Sequence, residues 1–332
     1  MPEITPDRLM MMAGAFQNSK ILMAANELGI FKFIGDKART PADVANALKL
    51  DSEATGMLMT ALVGLGLLTM KAGRYANSPE SAKYLASDDP ESSLSCIIRH
   101  MNHMYDGWAG LDAIVKKGRP KKRQPSKILH DRKHNRDFIC GMFEIGYGSA
   151  KKLAEVIDLT GVRKMADIGG GPAQYPIVFA EKAPDATFVV ADYPNTVKVA
   201  REYIKKYKMS KRIKAVDCAF FDVPELGIGN DFDMALLSQV LHAASDEKAK
   251  GLLKKTYDIL KPGGRIVVNE NAMDDDRMGP TPPMVFAVNM LVGTEGRVYT
   301  PKELAAWLRE AGFKGIKARR VHERSVVVEG VK

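Results

Sequence analysis

The sequence predicts an α/β protein of two domains, a helical N-terminal domain and a doubly wound C-terminal domain built on a mostly parallel, seven-stranded sheet. Three patterns lead to this fold class. Apolar residues recur at helical spacing over residues 5–35. From Gly161 onward, short apolar segments alternate with helical ones, as in a parallel sheet with crossover helices. One predicted strand runs directly into Gly169-Gly170-Gly171, a turn typical of ligand-binding α/β domains.

Length and composition agree with a globular protein. A chain of 332 residues suits two domains of roughly 100 to 200 residues each. No stretch approaches the roughly 20 apolar residues that cross a bilayer, and the N-terminus lacks the pattern of a signal peptide, so we expect a cytoplasmic protein without a membrane partner. The three cysteines do not show CxxC spacing, which argues against a disulfide framework and a thiolate metal site.

The N-terminal pattern is that of a winged helix. A first amphipathic helix ends near Gly29, and Thr40-Pro41 predicts the N-cap and first residue of the next helix. A third helix is predicted over residues 52–65, followed by a hairpin formed by residues 66–70 and 74–77. The order of helices and hairpin leaves a DNA-binding regulator open as an alternative function.

Two observations bear on that alternative. The helix over residues 52–65 presents apolar side chains such as Met57 and Leu62, whereas a recognition helix needs donors and acceptors for base edges. The net charge of +9 has its densest source in Arg119-Pro-Lys-Lys-Arg123, which has no interleaved aromatic residues to stack on bases. We therefore favour a protein interface for the helix and a solvated linker for the basic segment, and do not expect nucleic acid as a partner.

The C-terminal pattern gives the individual elements. Parallel strands are predicted over residues 164–168, 187–192, 213–218, 232–237 and 265–269. The clearest helices cover residues 195–207 and 246–260, and residues 261–264 (Lys-Pro-Gly-Gly) are predicted to form the turn that ends the second of them. After a last helix over residues 301–311, strands near 316–321 and 325–329 must be antiparallel, because the turn between them is too short for a crossover.

The strongest chemical signal is the strand that ends in Asp167 and the glycine turn. Glycines let a ligand approach the backbone, and a helix is predicted to begin at Pro172. A dinucleotide site would have a third glycine where Gln174 stands, and Asp167 suits a cationic amino-acid cofactor better than a diphosphate. Asp192 ends the second strand and can take both hydroxyls of a ribose, so the two strand ends together predict an adenosine site.

Three further residues follow strands of the same sheet. Asp217 and Phe220 come after the third strand, where a polar and a flat apolar group can bracket an adenine. His242 follows the fourth strand at the carboxyl edge, where open α/β sheets bind ligands, which makes it a candidate general base. Glu270, at the end of the fifth strand, can hydrogen bond the imidazole and fix its tautomer. The scattered histidines predict no metal site.

Several motifs resemble the S-adenosylmethionine-dependent O-methyltransferases, a family that includes plant caffeate and flavonoid enzymes, acetylserotonin methyltransferase and bacterial natural-product methyltransferases. The motifs are Asp167-Ile-Gly-Gly-Gly171, Leu236-Leu-Ser-Gln-Val-Leu-His242 with Asp246-Glu247, Leu260-Lys-Pro-Gly-Gly264, and Thr300 with Glu303-Leu and Ala311-Gly-Phe313. The resemblance implies a winged-helix-like dimerisation domain over residues 1–115, a linker and pocket helix over 116–150, and a Rossmann-like class I methyltransferase domain over 151–332. It also implies a homodimer and methyl transfer from S-adenosylmethionine, leaving S-adenosylhomocysteine, to a hydroxyl of a small aromatic or apolar acceptor.

The resemblance assigns roles to single residues. His242 would deprotonate the acceptor, with Glu270 beside it. The expected cofactor-binding residues are Asp167, Gly169, Gly171, Asp192, Asp217, Phe220 and Ser238. The expected acceptor-pocket residues are Phe138, Met142, Phe143, Asn289 and Met290.

Four departures from the family pattern qualify these roles. Ala243-Ala244 replaces an Asp-Trp pair, so an adenine-stacking indole is missing, and Val298 replaces the second acid beside the base. Ala219 stands where the family has an acid, two residues after Asp217, and Pro172-Ala173 replaces a more glycine-rich sequence. An S-methyltransferase acting on a small thiol or thio-acid is therefore the closest alternative, because a thiol, with a pKa of about 8.5, needs less help from a base.

Overall fold

The computed structural model describes residues 4–119 and 131–332. The chain forms two compact units, Met1–Asp106 and Gly107–Lys332. Most of the basic segment that follows Arg119 lies outside the described residues. None of the helices within the described ranges is long and apolar enough to cross a membrane, and the cytoplasmic location stays a prediction.

The first unit has the predicted order of helices followed by a hairpin. Its second predicted helix begins where a capping box forms, with the Thr40 side chain accepting from the Asp43 amide and the Asp43 side chain accepting from the Thr40 amide. Its core includes Phe31, Met59 and Leu62. The elements are α1 (Pro6–Glu27), α2 (Ile30–Ile34), α3 (Pro41–Leu48), α4 (Ser52–Gly64), β1 (Leu68–Lys71), β2 (Arg74–Asn77), α5 (Pro79–Ser81) and α6 (Ser95–Ala109), the last of which runs into the second unit.

The second unit is the predicted α/β domain. Its sheet has seven strands in the order β5-β4-β3-β6-β7-β9-β8, and only the last strand, β9, runs antiparallel to its neighbours, which confirms the predicted fold class. The elements are α7 (Leu111–Lys117), α8 (Arg132–Val156), β3 (Lys164–Ile168), α9 (Gln174–Lys182), β4 (Thr187–Asp192), α10 (Pro194–Lys206), β5 (Ile213–Asp217), β6 (Phe232–Ser238), α11 (Asp246–Ile259), β7 (Leu260–Asn271), α12 (Thr281–Gly293), α13 (Pro301–Glu310), β8 (Lys314–Arg320) and β9 (Ser325–Val331).

Apolar side chains cover both faces of this sheet. One core cluster contains Phe179 and Leu236, and the other contains Leu237 and Leu308. Neighbouring side chains of a strand point to opposite faces of the sheet, so Leu236 of β6 packs in the first cluster and Leu237 in the second. The carboxyl ends of β3, β4, β6 and β7 therefore meet at one edge of a sheet that is buried on both faces.

One local prediction was confirmed only in part, and another was wrong. Residues 261–264 follow the end of α11 and are looped out between the pairs Phe232–Leu260 and Met234–Arg265, but they belong to β7, and the Gly264 carbonyl accepts from the Lys332 amide at 2.9 Å. The helix expected at Pro172 begins at Gln174, after Ala173 takes a left-handed φ of +69°. The bond between Gly264 and Lys332 joins residues far apart in sequence, and a local pattern does not contain such pairing.

Candidate active site

The glycine turn after β3 leaves no room for a side chain at Gly169 or Gly170. A Cβ on Gly169, whose φ is +70°, would lie 2.5 Å from a methyl carbon of Val240 and 3.3 Å from the Phe220 ring. A Cβ on Gly170 would overlap the carboxylate of Asp167. The turn therefore presents backbone to the edge of the sheet, and Gly170, which the sequence did not single out, is as constrained as Gly169.

Asp192 at the end of β4 is tied to the same turn. Its Oδ2 accepts from the Gly171 amide at 2.9 Å and its Oδ1 accepts from the Tyr193 amide at 2.7 Å. Burial raises the pKa of Asp192 to about 6, although these hydrogen bonds act in the opposite direction. Gly171 and Asp192, both expected to bind the cofactor, are thus hydrogen bonded to each other.

Asp167 at the end of β3 is buried without a partner. Only 1% of the residue is exposed, and neither carboxylate oxygen has a hydrogen-bond donor in the part of the chain that the structure describes. Burial, assisted by the nearby charge of Asp192, raises the pKa of Asp167 to about 8. In its ionised form, a carboxylate buried in this way needs a cation or hydrogen-bond donors beside it. The site fits S-adenosylmethionine, whose amino-acid end carries an ammonium group.

His242 lies in a 3₁₀ turn after β6 and contacts Glu270 of β7. Its Nδ1 is 2.6 Å from Oε2 of Glu270, which is fully buried. The other carboxylate oxygen, Oε1, accepts from the amides of Val240 and Leu241 at 2.9 and 2.7 Å. Because Glu270 is surrounded by donors, it holds the tautomer in which His242 donates from Nδ1 and keeps a lone pair on Nε2.

Two residues that come much later in the sequence, Tyr299 and Gly296, also contact the turn that carries His242. The Tyr299 hydroxyl donates to the Leu241 carbonyl at 3.2 Å, and the ring is fully buried. Gly296 lies so close to the carbonyls of His242 and Ala244 that a Cβ there would overlap both. Neither residue was predicted from the sequence. Tyr299 and Gly296 therefore restrict the main chain at His242 and at the residues before and after it.

The expected adenine residues are not equivalent. Phe220 is 5% exposed and packs under the glycine turn, whereas Asp217 is exposed and lies 3.9 Å from Arg201. The contact of Asp217 with a ligand stays a prediction. Tyr193, which the sequence analysis did not single out, stands edge-to-face with Phe220 at 5.2 Å, and its hydroxyl donates to Asp222 at 3.0 Å. The ring of Tyr193 is half-buried and offers a flat surface next to Asp192, in a site that lacks the adenine-stacking indole of the family pattern.

The acceptor-pocket residues on α8 divide between two faces. Phe138 and Met142, four positions apart, are both partly exposed. Phe143 is fully buried and stacks on Tyr203 with ring centroids 4.1 Å apart. Phe143 is therefore a core residue in this structure, and its predicted contact with an acceptor has no support in the geometry.

Helix α12, which carries the expected acceptor residues Asn289 and Met290, passes beside His242. The ring of Phe286 meets the imidazole of His242 edge-on at 5.0 Å. Met290 packs with Met273 and Val298 in an apolar cluster that includes Phe286. Val298, which replaces an acid of the family pattern, thus extends an apolar wall. Asn289 accepts from the Trp108 indole at 3.2 Å.

Comparison with known proteins gives one consistent result along the chain. Residues 108–314 match the family model of the O-methyltransferase domain, and residues 10–87 match the O-methyltransferase dimerisation domain. The chain is 30% identical to 3-hydroxy-5-methyl-1-naphthoate 3-O-methyltransferase of Streptomyces sahachiroi, covering 98% of this chain and 95% of that protein. It is 29% identical to acetylserotonin O-methyltransferase of Bos taurus, covering 93% and 92%. The crystal structure of human N-acetylserotonin methyltransferase in complex with SAM superposes with a TM-score of 0.86 at 27% identity, covering 100% of this chain and 99% of that one.

Proposed function

The chain belongs to the O-methyltransferase family, and from this premise we propose that His242 removes the proton from a hydroxyl group of a small aromatic or apolar acceptor during methyl transfer. The enzyme uses S-adenosylmethionine and acts on small molecules. The observation that carries the role of His242 is its 2.6 Å contact with the buried Glu270, at the sheet edge that also carries Asp167 and Asp192.

The chemistry divides between positioning and proton removal. S-adenosylmethionine, when bound, supplies a methyl group on a positively charged sulfur that an oxygen nucleophile can displace. Asp167 and the glycine turn bind the charged end of this donor, and Asp192 binds its ribose. His242 accepts the hydroxyl proton at Nε2, and Glu270 balances the charge of the resulting imidazolium through Nδ1.

The lining near His242 supports an aromatic or apolar acceptor. Phe286, Met290 and Val298 form an apolar wall next to the imidazole, and Phe138 and Met142 are partly exposed on α8. The two relatives described above are named for a naphthoate and for acetylserotonin, both aromatic. The thiol alternative is not favoured, because a paired imidazole and carboxylate suit a hydroxyl, which is the weaker acid.

The first unit supports a homodimer rather than a DNA-binding regulator. Helix α1 has 22 residues, of which only Ala25 and Asn26 are buried. Its exposed apolar residues are Leu9, Met10, Met11, Met12 and Phe16. Because a monomer rarely exposes so much contiguous apolar surface, we propose that α1 packs against a second copy of the chain.

Acidic residues on this surface should weaken the dimer. We expect the double variant Met11→Glu/Phe16→Glu to lower the association constant by more than about 100-fold, since two large apolar side chains would no longer be buried. Size-exclusion chromatography with light scattering measures the mass. Met278→Glu, an equally exposed methionine of the second unit, should remain dimeric. A dimeric double variant would place the interface elsewhere.

Ligand binding tests the proposed function directly. We expect calorimetric titration and thermal shift to show binding of S-adenosylmethionine and S-adenosylhomocysteine but not of NAD, because Asp167 and Gln174 suit a cationic ligand and not a pyrophosphate. A panel of phenols then tests turnover, with matched thiols as the control. Methylation of thiols alone, or a response to NAD alone, would contradict the proposal.

A further inference from the structure

A second group of polar side chains lies at the edge of the sheet, next to Asp167 but on the face opposite Glu270. In the sheet register, Asp167 is opposite Leu236, and Ser238 is opposite Asn269. Because side chains alternate along a strand, Asp167, Ser238 and Asn269 point to one face, and Glu270 points to the other. Tyr175, in the first turn of α9, reaches the same region through its contact with Asn269, and Gln174 is the residue before it. We refer to Gln174, Tyr175, Ser238 and Asn269 as the polar cluster.

The polar cluster is buried but incompletely hydrogen bonded. Asn269, 6% exposed, donates from Nδ2 to the Ser238 hydroxyl at 2.9 Å and to the Tyr175 hydroxyl at 3.4 Å. Its Oδ1 has no donor, and neither does Oε1 of Gln174, which is 8% exposed, among the residues that the structure describes. Buried amide oxygens are nearly always paired, so these two, like the carboxylate oxygens of Asp167, are acceptors that a hydrogen-donating ligand would satisfy.

The side-chain amide of Gln174 packs against a glycine. Its Nε2 lies 2.9 Å from the position that a Cβ on Gly146 of α8 would occupy. The missing side chain at Gly146 therefore makes room for the amide of Gln174. Tyr175 adds a hydroxyl that stays protonated, because burial raises its pKa to about 12.

The chemistry of the unpaired atoms selects the ligand. Asp167, Gln174 and Asn269 together offer unpaired acceptor oxygens on three side chains, and a primary ammonium group has three N–H donors and a positive charge. We propose that Gln174 and Asn269 bind the ammonium group at the amino-acid end of S-adenosylmethionine, with Asp167 balancing its charge. The inference rests on the proposed function, because it concerns the same methyl donor, and it adds two residues that determine specificity for that end.

Two ligands that differ only at this end provide the test. S-adenosylhomocysteine carries the amino-acid end, whereas 5′-methylthioadenosine keeps the adenosine and the thioether without it. We expect Asn269→Ala and Gln174→Ala each to weaken S-adenosylhomocysteine binding by about 10- to 100-fold, the effect of losing a hydrogen bond to a charged group. Binding of 5′-methylthioadenosine should change less than about twofold, since a ligand without the ammonium group makes no such bond.

Calorimetry on the full-length protein separates the outcomes. Gln174→Met, which keeps the length of the side chain beside Gly146, should behave as Gln174→Ala. Asn26→Ala, which removes a buried amide paired with Ser95 in the first unit, should leave both affinities unchanged. Equal losses for the two ligands, or unchanged S-adenosylhomocysteine affinity in both cluster variants, would overturn the inference while leaving methyl transfer intact. A wild-type protein that binds neither ligand would overturn the proposed function as well.

Discussion

Replacing His242 with alanine should reduce turnover by about 10²- to 10⁴-fold, the usual contribution of a general base, while S-adenosylmethionine binding remains within about twofold of wild type, because the base acts on the acceptor. The hydroxyl of a phenol, with a pKa of about 10, is mostly protonated near neutral pH and depends on an acceptor for its proton. Glu270 fixes the imidazole for this role but does not reach the glycine turn in any hydrogen bond of the described residues.

Steady-state kinetics and calorimetry on the same preparation measure the two halves of this prediction. His322→Ala, a histidine exposed on the surface, is the matched control and should retain both activity and binding. Unchanged turnover in His242→Ala would remove the base from the mechanism. Loss of cofactor binding in that variant would instead make His242 a structural residue of the cleft.

The residues proposed for this chemistry could be predicted where they follow parallel strands. The carboxyl end of such a strand is where an open α/β sheet binds ligands, so Asp167, Asp192 and His242 could be named from the sequence. Their mutual arrangement follows from strand order, which places β3 between β4 and β6. Glu270 could be predicted for the same reason, because it lies near the carboxyl end of β7, the next strand along the sheet.

Residues that contact the site but lie far from it in sequence could not be predicted. Tyr299 bonds to the Leu241 carbonyl across 58 positions of sequence, and no local pattern marks such a contact. The unpaired oxygens of Gln174 and Asn269 become visible only when every neighbour is in place. A sequence shows which groups are polar but not which of them lack partners.

Helix faces were predicted less well than strand ends. Met142 and Phe143 are adjacent and both apolar, yet one is partly exposed and the other stacks on Tyr203 in the core. Successive helical residues point about 100° apart, so a segment can line a pocket while its next residue fills the core.

The buried carboxyl of Asp167 should make cofactor binding depend strongly on pH. Burial raises the pKa of Asp167 to about 8 in the cofactor-free protein, and only its ionised form can pair with an ammonium group. Binding must therefore release a proton below that pH. We expect the dissociation constant to fall by up to about tenfold per pH unit from pH 6 towards pH 8 and then to level off.

The carboxyl of Asp167 affects folding stability in the opposite direction, because stability falls as pH rises whereas cofactor binding strengthens. Its folded pKa lies above the unfolded value of about 4, so the stability it contributes as a neutral carboxyl is present below pH 4 and is lost as pH rises through about 8. Asp167→Asn, which stays neutral, should therefore unfold at a higher temperature than wild type at pH 9 when no cofactor is bound.

Asp167→Asn should also bind S-adenosylmethionine about 10- to 100-fold more weakly at pH 8.5, having lost a charge-assisted hydrogen bond, and with a much flatter pH dependence. Calorimetry in two buffers of different ionisation enthalpy measures the proton release, and thermal shift measures stability. Asp258→Asn, an exposed aspartate paired with Lys254 on α11, is the matched control and should reproduce the wild-type pH dependence. A wild-type affinity that is constant from pH 6 to 8.5, or a variant with unchanged affinity, would mean that the ammonium group is neutralised elsewhere. Asp167 is thus expected both to destabilise the empty enzyme at alkaline pH and to strengthen binding of the cofactor there.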